Sequence, residues 1–516
     1  MAQPMNVLLI TTDQMRADHM GCAANECIRT PNLDALAAGG VCLDRAYVSN
    51  PLCMPNRATI ATGRLPRNHR CWSNGINLPA DERTVADVLN ERGYHTALLG
   101  KGHLTSYNQS KEPPLFDSRE AWADGRMTPA WTGPYYGFQQ CTLSIGHADY
   151  ALDRAHYGAW LQEHFPGAAR HAQEHRIPSP TGALQCFTLD LPVEAHASTW
   201  LGSVGCDYLR ARAADGRPFL VWVSFPDPHH AFCPPAPFDT LHDPRRVVLP
   251  RLGAEALADK PPHFRRAYEG GELWEGIGAK DILKDVTEPQ LREIIARTYG
   301  MITLVDENIG RILETLDATG LADRTVVLFT SDHGDLMGDC GLIFKGPFHL
   351  EGLVRVPMIW RVPKSKGVEG PSRDRTVAGT SAHRPGRRSQ GLFSSCDIAP
   401  TILAILGFDV PHGVDGLAQP ELVTGGKGRR EAAFVEFKSM YRPELNLRTL
   451  VTADRKLTHY AGQAYGELYD MTAAVPEAQN LWGDPKFAAD RAALEQRILD
   501  EEILHQDNRL RPRCHA

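Results

Sequence analysis

Residues 6–14 read Asn-Val-Leu-Leu-Ile-Thr-Thr-Asp-Gln, an apolar and β-branched run that stops at a carboxylate and an amide. This run predicts a buried strand over Asn6–Thr12, with Asp13 and Gln14 at its carboxyl end. The pattern recurs along the chain. His95–Leu99 predicts a strand running into Gly100-Lys101-Gly102-His103. Pro218–Phe225 predicts another, followed by Pro226-Asp227-Pro228-His229-His230, and Thr325–Thr330 a third, leading into Ser331-Asp332-His333-Gly334. Helical segments alternate with these runs. Pro31 opens one that ends at Gly39-Gly40; Thr84–Arg92 and Val193–Arg212 supply two more. From Thr287, apolar residues at 291, 294, 302, 305, 309, 312 and 316, with Thr298, mark one face of a long helix that Gly320 closes. With further strands over Val41–Ser49 and Val356–Val362, the alternation predicts an α/β fold: a large, mostly parallel sheet sandwiched by helices.

The remaining segments read differently. Residues 105–190 and 226–285 are loop-rich insertions, and the Trp and Tyr residues of 121–160 read as insertion core. Residues 364–390, rich in Arg, Ser, Gly and Pro, predict an exposed loop. Asp397–Leu406 predicts a short helix. From about 430, short strands over Ala432–Phe437, Arg448–Val451, Lys456–Tyr460 and Glu467–Tyr469 precede a helix over Pro485–Leu504. The expected division is therefore a catalytic α/β domain, 1–429, and a small C-terminal α+β subdomain, 430–516.

Composition narrows the functional class. The chain has 516 residues, 42% apolar and 23% charged, with a formal net charge of −7. A general nucleic-acid binder would show a basic surplus. No apolar run approaches the roughly 20 residues that span a bilayer, and the N-terminus lacks the pattern of a secretory signal. A cytoplasmic protein, with neither nucleic acid nor membrane as partner, is expected. The 12 cysteines contain no CxxC pair, so neither a zinc site nor a disulfide framework is expected.

Ligands of open α/β sheets collect outside the carboxyl ends of the strands. Here those ends carry Asp13-Gln14, Lys101 and His103, His229-His230, and Asp332-His333. Hard oxygen ligands, imidazoles and an amine in such places point to a metal-assisted site for an anionic substrate. The sharpest local feature is Cys53-Met54-Pro55-Asn56-Arg57, ahead of Thr62-Gly63-Arg64. It reads as a helix start with Pro55 in the first turn. A helix N-terminus favours an anion at its first residue, and Arg57, one turn on, would face the same point.

The stretch CMPNRATIATGR resembles the first signature of the sulfatase family, and Gly93–His103 resembles its second. TPNLDALAAGG, the Pro-His pair, TSDHGD and FKGPFHLEGLVRVPMI follow in family order, so the resemblance covers most of the chain. It implies an alkaline-phosphatase-like fold and hydrolysis of a sulfate monoester. Cys53 would be the modified residue, oxidised to formylglycine (3-oxoalanine) by a formylglycine-generating enzyme. One hydroxyl of the hydrated aldehyde would attack sulfur and the other would lose a proton to expel sulfate. By the same resemblance Asp13, Gln14, Asp332 and His333 are ligands of one divalent metal, Ca²⁺ or Mn²⁺. Arg57 and Lys101 would neutralise developing charge. His103 would be the base for the second hydroxyl, and His229 and Lys345 would hold sulfate and assist the leaving oxygen. Asn74 would contact a substrate oxygen, and His230 would line the pocket. Asp335 and Asp339 read as loop carboxylates.

The DQ and DH pairs are similar to those of choline sulfatases and phosphonate monoester hydrolases. Phosphonate monoester or phosphodiester hydrolysis is therefore the alternative, although those hydrolases carry Tyr and Thr where this chain has Lys101 and His103. A non-catalytic binding protein and a metal-free thiol enzyme are the rivals from other classes; the filled motif positions and the carboxylates speak against them. The helix after 485 and the Arg-rich tail Arg509–Arg513 offer surface for a homo-oligomer.

Overall fold

The computed structural model describes residues 4–108, 111, 113–250, 254–271, 286–363, 386–439 and 442–507. Its main sheet has eight strands: β1 (Asn6–Thr12), β2 (Val41–Tyr47), β3 (His95–Gly100), β4 (Gln140–Leu143), β5 (Phe219–Ser224), β6 (Thr325–Ser331), β7 (Met358–Arg361) and β8 (Arg387–Ser394). Their order across the sheet is β8-β2-β7-β6-β1-β5-β3-β4. The block β6-β1-β5-β3-β4 is parallel throughout, so five neighbouring strands end on one edge. β7 runs antiparallel to both β2 and β6.

Alternation along β1 explains why it sits centrally. Val7 and Leu9 point into one core layer with Leu98, Trp222 and Leu328. Leu8 and Ile10 point into the other with Leu99, Val221, Val223 and Phe329. Both layers are closed by helices: α1 (Pro31–Ala38), α2 (Cys53–Thr62), α3 (Val85–Asn90), α4 (Ala197–Asp215), α5 (Glu288–Ala318) and α6 (Ile398–Ile405). Met54, Ala58 and Ile60 of α2, with Val85, Val88 and Leu89 of α3, cover one face. Leu201 and Leu209 of α4, with Ile294, Ile302, Ile309 and Ile312 of α5, cover the other. The 31 residues of α5 span roughly 45 Å at 1.5 Å per residue.

Several boundaries differ from the sequence expectation for identifiable reasons. α4 begins at Ala197 rather than Val193, because the His196 ring accepts from the Ser198 amide as a cap. Residues 387–390, expected at the end of a loop, instead begin edge strand β8, parallel to β2 with an irregularity between Ser389 and Leu392; its outer half is polar, which hid it. Residues 364–385 of that expected loop lie outside the described residues, as does the tail from 508. The insertion 105–190 contributes β4, whose four residues are too short for a periodicity signal. Part of its aromatic set forms insertion core: Phe116 stacks on Trp131 at 5.1 Å, and Tyr135 donates to Asp117, whereas Tyr150 is exposed. Gly100 closes β3 with φ +98°, and a Cβ there would lie 2.1 Å from the Ser224 carbonyl oxygen. Only glycine lets β3 and β5 close at this point.

A second sheet of four antiparallel strands follows: β9 (Ala433–Phe437), β10 (Leu447–Val451), β11 (Arg455–Tyr460) and β12 (Gly466–Asp470). Helix α7 (Ala488–Leu504) packs Ile498 on one face with Phe434, Leu450, Leu457 and Leu468. Phe437, Leu447 and Tyr460 instead enclose Leu52, the residue before Cys53. Lys456 is fully buried and donates to Glu351 (3.1 Å) and Glu477 (2.7 Å), which ties this sheet to the segment following Lys345.

Thr30 does not cap α1, as its place before Pro31 would suggest. The buried Asp306 carboxylate of α5 accepts from the Asn32 and Leu33 amides at 3.1 and 2.8 Å. Asp306→Ala is expected to leave two buried donors unmatched and to cost about 1–3 kcal/mol. A lowered denaturation midpoint with activity retained below it is the predicted result; an unchanged midpoint would remove this cap from the account.

Candidate active site

The carboxyl ends of the five parallel strands carry the polar residues the sequence singled out. β1 delivers Asp13 and Gln14, β3 Lys101 and His103, β5 His229 and His230, and β6 Asp332 and His333. β4 adds His147. Cys53 is the first residue of α2, and every residue of that helix is buried. No side chain of Leu52 caps it; the Asn74 side-chain oxygen accepts from the Met54 amide at 3.1 Å. Asn74 thus stands beside Cys53 as a helix cap.

Around Cys53 the distances are short. Its sulfur lies 3.1 Å from His333 Nε2, 2.9 Å from Lys345 Nζ and 3.7 Å from Asp13 Oδ1. Asp13, Cys53, Asp332 and His333 offer ligand atoms that all lie within 4.8 Å of one another. Arg57 donates through Nε to Asp332 Oδ2 (2.7 Å) and through Nη1 to Ser224 Oγ (2.7 Å) and the Lys101 carbonyl (2.9 Å). Lys101 pairs with Asp13 and lies 2.7 Å from His147 Nε2. Lys345 Nζ is 3.1 Å from His229 Nε2 and 3.4 Å from Gln14 Oε1.

Hydrogen bonds on the outer side orient these groups. His333 Nδ1 is 2.8 Å from the Gly334 carbonyl and His229 Nδ1 is 2.7 Å from the His230 carbonyl. A carbonyl accepts only from N–H, so both rings turn an unprotonated Nε2 towards the site when neutral. Gln14 donates through Nε2 to Asp335 (2.5 Å) and lies 2.9 Å from His230 Nδ1, which leaves its oxygen facing Lys345. Gln14 adopts φ +67° and His103 φ +58°, conformations that non-glycine residues rarely hold without strong surrounding contacts.

The electrostatics follow from burial and charge balance. Asp13, Arg57, Lys101 and Asp332 are each 0% exposed. Burial alone would raise the Asp13 carboxyl, yet Lys101, with His229, Lys345 and Arg57, holds it well below the usual carboxylate range. Burial and the Asp13 charge push the Cys53 thiol up, but Lys101, Lys345 and His333 outweigh them and lower it. Burial, reinforced by Lys101 and Arg57, holds His103 well below its ordinary value; His147, His229 and His230 are lowered likewise, chiefly by burial. These rings are therefore neutral near pH 7. The side chains of Arg57, Lys101 and Lys345 then face two carboxylates, Asp13 and Asp332, an excess of cation suited to an anionic substrate.

The donor set suits a divalent cation: two buried carboxylates, an amide oxygen and an imidazole nitrogen at adjacent strand ends. The Lys345 ammonium already stands among Gln14 Oε1, His333 Nε2 and Cys53 Sγ, so a positive charge is favoured where those acceptors converge.

Four residues at or beside the site were not legible as such. Asp335, expected as a loop carboxylate, is fully buried, and its other oxygen accepts from the Met337 and Phe344 amides; burial pushes its carboxyl up to about 6. Asp339, read the same way, pairs with Arg16 at 2.7 Å. His147 stacks face to face on His229, with centroids 3.6 Å apart. Tyr107 stacks on His103 at 3.9 Å. The last two lie in the insertion, where no motif marks them; Asp335 could have been found from its place in Ser331-Asp332-His333-Gly334-Asp335.

Comparison with known proteins gives the family. The sulfatase family profile matches residues 5–408, and an N-sulphoglucosamine sulphohydrolase C-terminal profile matches 343–503. A multifunctional alkaline phosphatase superfamily protein, PehA, of Trinickia caryophylli is 27% identical, over 98% of this chain and 96% of its own. A choline-sulfatase of Rhizobium meliloti is also 27% identical, over 95% and 84%. The solved phosphonate monoester hydrolase of Agrobacterium radiobacter superposes with a TM-score of 0.79 at 27% identity, over 98% and 97%. With a profile match across most of its length and an alkaline-phosphatase-like sheet carrying the expected residues at one edge, the chain belongs to the sulfatase family.

Proposed function

We propose that the protein hydrolyses sulfate monoesters at Cys53. The observation that carries this reading is the position of Cys53: first residue of a buried helix, within 4.8 Å of the ligand atoms of Asp13, Asp332 and His333, and touched by Lys345. Asp13, Gln14, Asp332 and His333 would hold one divalent metal, Ca²⁺ or Mn²⁺, which supplies Lewis-acid charge next to the nucleophile. Oxidised to formylglycine by a maturation enzyme, residue 53 would supply a geminal diol in place of a thiol.

The chain's own residues divide the remaining work. Arg57 is anchored through Nε and Nη1, while its Nη2 is buried without a hydrogen-bond partner. Nη2 lies 3.8 Å from Asp13 Oδ2 and would be the Arg57 donor left for the substrate anion. Lys101 and Lys345 flank the residue-53 side chain and neutralise the sulfuryl oxygens. His103 Nδ1 is buried and unpartnered, and its lowered pKa keeps the ring neutral, so it can accept a proton from residue 53. His229, its Nε2 3.1 Å from Lys345, shares a proton with that lysine at the leaving oxygen. Asn74 keeps the helix start in place and can contact a substrate oxygen.

Phosphonate monoester hydrolysis is the second reading, supported by the likeness to the Agrobacterium radiobacter structure. Lys101 and His103 inside the site favour the sulfate ester. Comparing kcat/KM for phenyl sulfate and for the phenyl ester of phenylphosphonic acid decides between them: the sulfate is expected to be the better substrate, and the reverse order would transfer the assignment.

Cys53→Ala and Cys53→Ser are both expected to fold and to lose nearly all multiple turnover, since serine offers one hydroxyl where two are needed. Peptide mass spectrometry of the active wild type should show residue 53 lighter than cysteine by the thiol-to-aldehyde difference; an unmodified thiol in active protein would refute the mechanism. Chelation should abolish activity and a divalent ion restore it, whereas a fully active metal-free preparation would contradict the ligand assignment. His103→Ala should lower kcat by about 10²–10⁴-fold, the usual yield of general-base assistance; a change below threefold would move that role elsewhere.

A further inference from the structure

The wall of the site continues outward from His103 through a series of rings. Tyr107 stacks on His103 with 10° between the planes. The guanidinium carbon of Arg119 lies 5.9 Å from the Tyr107 ring centroid and 5.5 Å from that of Tyr150. Tyr150 is 58% exposed, so the series runs from the site to solvent. The Tyr107 centroid is also 5.9 Å from Lys101 Nζ, which places Arg119 one ring away from a lysine assigned to the sulfuryl group.

Arg119 is an unsatisfied cation. Its Nε is buried without a hydrogen-bond partner, and among the described residues no carboxylate forms an ion pair with it. Arg154 stands close enough to repel it: burial and the Arg154 charge push the Arg119 pKa down, by more than the Asp153 charge pulls it up. Arg154 itself is engaged, through Nη1, with Asp153 (2.5 Å) and the Tyr150 carbonyl (3.1 Å). The Tyr107 hydroxyl is likewise buried and unpartnered, and burial with the Asp117 charge keeps it a neutral phenol, a donor rather than an anion. Two donors without acceptors therefore line the route from the site to the surface. A guanidinium partly stripped of water, held between two aromatic faces and without a directly ion-paired carboxylate among the described residues, gains a charge-assisted hydrogen bond at little further desolvation cost.

We propose that the wall formed by Tyr107, Arg119 and Tyr150 is the leaving-group subsite, and that it selects sulfate esters whose alcohol carries a second anionic group, bound by Arg119. This rests on the sulfate-ester reading above. Aryl sulfates with and without a ring carboxylate test it. The wild type is expected to turn over 3- or 4-carboxyphenyl sulfate with kcat/KM about tenfold above phenyl sulfate, the yield of one charge-assisted hydrogen bond. Arg119→Gln should abolish that preference and leave phenyl sulfate within about twofold, and Arg119→Lys should keep part of it. A merely structural role for Arg119 would lower both rates and leave the ratio unchanged. Equal rates in the wild type, or a ratio unaffected by Arg119→Gln, would overturn the proposal. If neither ester is turned over, the sulfate-ester reading has failed. Calorimetric dissociation constants of the two esters for Cys53→Ala protein, with and without Arg119→Gln, then decide the subsite by the same ratio without turnover.

Discussion

Asp13 and Asp332 sit at the ends of adjacent central strands, fully buried, and are held there by Arg57 and Lys101. The Asp332–Arg57 contact is 2.7 Å, and neither partner is exposed to solvent. Isolated charges in such a place would cost several kcal/mol each. They persist because every one is matched: Arg57 reaches from α2 to β6, β5 and the end of β3, and Lys101 reaches back to β1. Remove one partner and the others become uncompensated buried charges. The strand order, the glycine closing β3 and the burial of the whole of α2 all serve to bring these groups to one edge without water.

The same constraint explains why so many neutral imidazoles gather there. His103, His147, His229 and His230 are all held uncharged by burial beside lysine and arginine. Burial is the first cause that keeps these four rings uncharged, and neutral rings can accept hydrogen bonds from the neighbouring cations. His147 and His229 stack, and His103 and Tyr107 stack. These flat pairs fill the walls and fix ring orientation while leaving nitrogen atoms available for proton movement.

The second sheet contributes to the site without touching the reacting position. Phe437, Leu447 and Tyr460 enclose Leu52 immediately before Cys53. His349 lies 2.7 Å from the Thr449 hydroxyl, and the buried Lys456 holds Glu351. The start of α2 that carries Cys53 and the segment that follows Lys345 are therefore backed by β9, β10 and β11, which links folding of the C-terminal segment to the geometry at residue 53.

The sequence by itself determined the sheet and most of the site. Runs such as Asn6–Thr12 and Thr325–Thr330 are short, apolar and rich in β-branched residues, which favours buried strands over helices, and the polar residues that end them then fall on the ligand-binding edge. Cys53 and Arg57, four apart on a helix start, had to share a face. Short or polar elements were illegible: β4 has four residues, and β8 is half-exposed and polar, so neither carries a periodic signal. Only the tertiary structure decided that Asp306 caps α1 across 274 positions, that Asp335 orients Gln14, and that Tyr107 and His147 of the insertion stack on His103 and His229. These depend on contacts between segments remote in the chain, and local pattern holds no record of a partner that folding alone brings near.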